Sequence, residues 1–210
     1  MAAQNPWSER ETSVLSKLDN PWDVQVFLNS LPYNPKPECK SPRRVMEEKC
    51  AHCFEGALFA AAALRYLGQV PKVVDLSAFN DDDHVIAIYR RGKFYGSVAK
   101  SNTTVLRFRE PVYRSLRELV MSYFDFYFNT VGKKTLRKYS RPLDLRIFDS
   151  RNWMTTDEDL EFIGDYFPNQ KYYSVLTEQM IKELYPIDPD VLKAGFMGAL
   201  EEGLFKAKDL

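Results

Sequence analysis

Three cysteines and two histidines are the chain's whole stock of thiols and imidazoles, and one pairing among them has a workable geometry. Cys53 opens the run CFEGALFAAAALRYLG, where only Glu55 and Arg65 carry charge, so the run reads as a core helix buried on nearly all sides. The leading N–H groups of a helix are unpaired and its dipole is positive there. That favours a thiolate and can lower a cysteine from ~8.5 into the range ~3.5–7.5. His84 begins the strand-like run HVIAIYRR, and the start of a helix and the start of a strand can meet at one edge of a sheet. A thiolate–imidazolium pair, with a third polar side chain fixing the imidazole tautomer, is the usual engine of acyl transfer by cysteine. His52, adjacent to Cys53, would point away from it on a helix, so His84 is the expected base. The plainer alternatives are a Cys53 that is a small buried hydrophobe and a His84 that is a solvated strand end beside three aspartates.

Other chemistry has weaker support. Cys50 and Cys53 have CxxC spacing, but zinc needs a second pair, for which only Cys39 and His84 remain. A thioredoxin-like redox site needs a strand before the motif, and a short charged helix and a loop precede it instead. The run Lys133, Lys134, Arg137, Lys138, Arg141 reads as a solvated face rather than a nucleic-acid surface.

The elements that must position Cys53 and His84 follow from punctuation. Ser8 caps a helix through Leu18, Asn20-Pro21 opens a helix over Trp22–Leu31, and Pro32–Pro42 is loop. Ser41-Pro42 repeats the cap signal for a charged helix over 43–48. Gly68 stops the core helix, KVVDLSAF is a strand from Lys72 to about Ala78, and Asn80–Asp83 is a turn. HVIAIYRR and KFYGSVAKS form a hairpin around Arg91-Gly92. Beyond it, Ser115–Phe128 is helical and Leu143–Phe148 is an extra strand. Asp157–Tyr166, Ser174–Leu184 and Pro189–Lys206 read as three terminal helices. The expected class is α+β: a core helix on a small antiparallel sheet, with helical additions at both ends. The expectation is one domain over 1–210, with N-terminal helices over 1–48, the core over 49–112 and a mainly helical extension over 113–210.

Composition narrows the partners. Lys plus Arg and Asp plus Glu are 29 each, so overall charge calls for neither nucleic acid nor a membrane surface. An odd, low cysteine count argues against a disulfide framework and for a reducing compartment. The opening MAAQNPWSER lacks a signal-peptide core, and no run approaches the ~20 apolar residues of a membrane span. The expected location is cytoplasmic.

Taken together, a cysteine opening a core helix that ends in Leu64-Arg65 and Gly68, Pro71 before a strand, and a histidine starting a hairpin strand resemble the transglutaminase-like, papain-type superfamily. Ala57 stands at the family's small position, and His84 follows Cys53 by 31 residues, about the family's spacing. Tyr89, Gly92, Lys93 and Phe94-Tyr95 fit the second strand. The likeness covers about residues 45–102. It implies a papain-like fold and covalent cysteine chemistry without a cofactor on a peptide, protein or small amide, by hydrolysis or transfer. One departure stands out: where the family places an aspartate, this chain has GSVAKSN. The resemblance then leaves Asn102, with Ser97 second, to orient His84. The contrasting expectation is a catalytically degenerate binding module on the same fold.

Overall fold

The computed structural model describes residues 6–208. Three short helices come first: α1 (Glu9–Leu15), α2 (Pro21–Ser30) and α3 (Pro42–Glu48), capped by Ser8, Asn20 and Ser41. Proline stands at the first position of the second and third, where its missing N–H costs nothing. The core helix α4 (Cys53–Tyr66) is followed by strands β1 (Lys72–Ala78), β2 (His84–Arg91), β3 (Phe94–Val98) and β4 (Arg109–Tyr113). After helix α5 (Leu116–Phe124) come β5 (Leu136–Ser140), β6 (Leu143–Asp144), α6 (Glu161–Gly164), β7 (Tyr172–Ser174), α7 (Glu178–Lys182) and α8 (Pro189–Gly195).

The strands make one antiparallel sheet in the order β4-β3-β2-β1-β5-β7, with β6 also on β1. The class is therefore α+β. Strand alternation divides the sheet between two cores. Val73, Val85, Ala87 and Tyr89 pack with α4, whereas Val74, Leu76, Ile86 and Ile88 pack with Leu119, Val120 and Tyr123 of α5. Ala57, Ala60, Ala61 and Leu64 of α4 are fully buried, which is why that helix keeps no polar face. Gly56 sits where an added Cβ would fall 2.2 Å from Lys100 Cβ, so the strand-end segment approaches the helix closely only because position 56 lacks a side chain. The β2–β3 hairpin turns at Gly92 with φ of 60°, the left-handed conformation that two-residue hairpin turns require.

The region after residue 113 departs from the helical extension that periodicity implies. It adds β5, β6 and β7 to the far side of β1. Strand β5 lies inside the basic run, where only Leu136, Tyr139 and Ser140 turn inward, so its charged residues mask the alternation. Leu143–Phe148 is a strand for two residues and then a 3-10 turn, Leu145–Arg151. The helix expected over Pro189–Lys206 stops at Gly195, and Gly198 adopts φ of 70°, a left-handed residue that ends rather than continues a helix. Strand β4, unforeseen, carries Pro111 at the sheet edge, where no ladder N–H is needed. Among the described residues, no helix is long and apolar enough to cross a membrane.

Candidate functional site

The start of α4 is held by a reciprocal cap. His52 Nδ1 accepts from the N–H groups of Phe54 (3.2 Å) and Glu55 (3.5 Å), and Glu55 Oε2 accepts from the His52 N–H at 2.8 Å. Glu55 is fully buried, where an unpaired carboxylate is costly. It also accepts from Asn34 Nδ2 and from the Lys40 N–H at 3.0 Å. His52 Nε2–H donates to the Glu38 carbonyl at 3.0 Å. The loop over 34–40 is thereby tied to the helix N-terminus, and Cys53 is presented at a fixed point. His52 is the cap of the helix that Cys53 opens.

Cys53 is half-buried and meets three cavities. A narrow one of about 60 Å³ is shared with His84, and two wider grooves of about 560 and 500 Å³ lead away on either side. The Cys53 thiol points at the Asp83 carbonyl, 4.0 Å away, and the N–H groups of Phe54 and Val85 are directed at the sulfur. Register explains the Val85 donor. The Asp75 N–H is taken by Ser140 Oγ at 2.9 Å on the β5 side, so the facing Asp75–Val85 pair exchanges no ladder bonds. The Val85 N–H therefore points the other way, toward β3, whose pairing with β2 begins only at Ala87. The gap beyond the end of β3 is where the sulfur sits.

His84 has the parity of Ile86 and Ile88, so its ring lies on the α5 side, 6.4 Å from the rings of Tyr123 and Tyr127. Its Nε2–H donates to the Leu106 carbonyl at 2.9 Å. A carbonyl can only accept, so the neutral ring carries its lone pair on Nδ1. The orienting partner is thus a backbone oxygen, and neither residue expected in that role takes it. Asn102 instead uses both ends of its amide on Leu200, donating to its carbonyl and accepting from its N–H, each at 2.8 Å. Ser97 is buried against the Tyr123 hydroxyl at 2.8 Å. A backbone carbonyl leaves no trace in side-chain patterns.

Burial works against the expected ion pair. Burial, with the Asp82 carboxylate adding to it, pushes the Cys53 thiol up to about 12 and outweighs the N–H groups of Phe54 and Val85. Burial likewise pushes His84 down to about 4. Both shifts favour a neutral thiol beside a neutral imidazole. The turn beside them is strongly acidic and rigidly built: Tyr127 donates to the Asp82 carbonyl (2.7 Å), Thr135 to Asp81 (2.7 Å) and the Ala78 N–H to Asp83 (2.7 Å). Asp75, in the wider groove, accepts from the Tyr172 hydroxyl at 2.7 Å, while burial and Asp83 push it up to about 7. A carboxylate in the middle of the apolar run KVVDLSAF was the signal that would have found it.

The remaining thiol readings have other partners. Cys50 Sγ accepts from Lys40 Nζ at 3.0 Å, and all three cysteines are free. Among the described residues, no group of three or more histidine, cysteine or acidic side chains is placed to hold a metal ion. In the basic run, Lys134 pairs with Asp125, and Arg137 donates to the carbonyls of Lys134 and Leu136. No family model matches the chain, and no curated protein matches it.

Proposed function

We propose that this protein is a cysteine acyltransferase or amide hydrolase of the transglutaminase-like type, with Cys53 as nucleophile and His84 as general base. The observation that carries this reading is that Cys53 and His84 line one cavity while the Leu106 carbonyl fixes the tautomer of His84. The pair works from neutral partners, as a hydroxyl–imidazole pair does. The Cys53 sulfur bonds to the substrate carbonyl carbon as its proton passes to His84 Nδ1, and that proton then leaves on the departing amine as the C–N bond breaks. Water or a second amine attacks the thioester, loses a proton to His84 and restores the thiol. The N–H groups of Phe54 and Val85 supply donors beside the sulfur for the oxyanion. A peptide, protein or small amide is the substrate class, and no cofactor takes part.

The elevated thiol favours a second reading, a binding module on the same fold whose chemistry has lapsed. Acylation by p-nitrophenyl acetate separates the two. The catalytic reading expects one acetyl group on Cys53 with release of p-nitrophenolate, and roughly 10²-fold or more slower acylation in His84→Ala. Acetyl transfer to Cys39 or Cys50, or a rate indifferent to His84→Ala, leaves the binding module.

A further inference from the structure

The C-terminal segment crosses the same cavities. Gly203, Leu204 and Phe205 line both the narrow pocket of Cys53 and His84 and one of the wider grooves. Side chains elsewhere in the fold hydrogen-bond to the main chain of this segment. Asn102 brackets Leu200 with two bonds of 2.8 Å. Asn80 does the same at Lys208, donating to its carbonyl at 2.7 Å and accepting from its N–H at 3.0 Å. Thr130 Oγ1 donates to the Phe205 carbonyl at 3.4 Å between them. A side-chain amide that pairs with both the N–H and the C=O of one residue reads backbone, whatever the side chain there. One position is selective. A Cβ at Gly203 would lie 2.7 Å from a Tyr33 ring carbon and 3.1 Å from Asn102 Nδ2, and the Tyr33 ring cannot yield without leaving its place beside Cys53.

We infer that the groove past Cys53 is a seat for an irregular or extended polypeptide with glycine at its narrowest point, and that residues 200–208 occupy that seat in cis. The inference rests on the acyl-transfer reading only for what happens to the peptide, and it names the substrate class: a polypeptide segment with a glycine packed between Tyr33 and Asn102. Because a tethered occupant competes at an effective concentration of ~mM, a peptide in trans must meet a groove from which the tail has been expelled.

Full-length Gly203→Val, whose branched side chain cannot fit against Tyr33, provides that groove. Expected are faster hydrogen exchange over residues 200–208 and alkylation of Cys53 by iodoacetamide at least about tenfold faster than in the wild type. A synthetic peptide LEEGLFKAK should then bind the variant saturably and slow the alkylation again. The peptide carrying valine for glycine should not, and adding Asn102→Ala to the variant should weaken the binding. Equal binding of both peptides, or no binding with alkylation unchanged, overturns the inference. An intact melting transition for full-length Asn102→Ala with exchange over 200–208 unchanged does so as well. None of these readouts needs turnover, and peptide binding should survive His84→Ala, so a failed acylation test and a failed seat are told apart.

Discussion

At Cys53 the competition is between a helix N-terminus, worth a few tenths to about 2 kcal/mol to a negative charge, and desolvation beside Asp82, which is the larger effect here. The alkylation rate of Cys53 should therefore still be climbing at about pH 10, where an ordinary thiol has levelled off, and should lack the low-pH limb of an ion-paired thiolate. Asp82→Asn removes a negative charge that opposes the thiolate, so its profile should move to lower pH. A wild-type limb near pH 6 would mean that Cys53 and His84 are an ion pair after all. Asp75 supplies a stability test. Its folded value, about 7, lies above the ordinary aspartate value of ~3.9, so the folded state binds more protons between those limits and stability falls as pH rises through that window. Asp75→Asn keeps an acceptor for Tyr172 and should raise the melting temperature above pH 7, with the difference vanishing below about pH 4. A constant difference across that window would place the Asp75 effect in packing instead.

Among the elements, α4 and α2 are set by tight packing and by one buried cation. Ala60 is fully buried between α4 and its neighbours, so Ala60→Leu should overpack the helix and cost roughly 1–3 kcal/mol. An unchanged midpoint in a thermal-melt series would mean that this face is open. Lys100 runs past Gly56 to donate its ammonium to the carbonyls of Leu28 (3.0 Å) and Leu31 at the end of α2. Lys100→Met leaves those carbonyls short of a donor and should cost roughly 1–3 kcal/mol, read as a lower denaturant midpoint with the slope unchanged. Burial holds Lys100 down to about 8. That lies below its unfolded value of ~10.4, so the unfolded state binds more protons between those limits and stability should rise with pH through that window, a rise that Lys100→Met should abolish.

Across the whole molecule, one sheet divides two cores, so each core's stability passes through the same strands. Leu58→Ala in the α4 core and Leu136→Ala in the α5 core both remove fully buried side chains and should each cost roughly 2–5 kcal/mol. Because β1 and β2 face both cores, either change should lower a single unfolding transition seen alike by far-UV and near-UV circular dichroism. Separate transitions for the two variants would mean that the cores unfold as independent units.

Local chemistry was enough for the first hundred residues. The caps at Ser8, Asn20 and Ser41, the uniformly apolar α4, the stop at Gly68 and the Gly92 hairpin were legible because each depends on residues within a turn or two of one another. The same local signals put Cys53 at a helix start and His84 at a strand start. Tertiary structure decided the rest. Whether Asn102 serves His84 or Leu200 depends on a segment 98 residues further along, and the partner that His84 does have is a backbone oxygen, which every residue carries. The ionisation of Cys53 turned on burial and on Asp82 across the site, neither of which is a property of the CxxC run. Strand β5 is short and carries Arg137 and Lys138, and β7 is only the three residues Tyr172–Ser174. They become strands because β1 offers an edge to β5 and β5 in turn offers one to β7, edges whose N–H and C=O groups must be satisfied, a demand that exists only once the chain has folded.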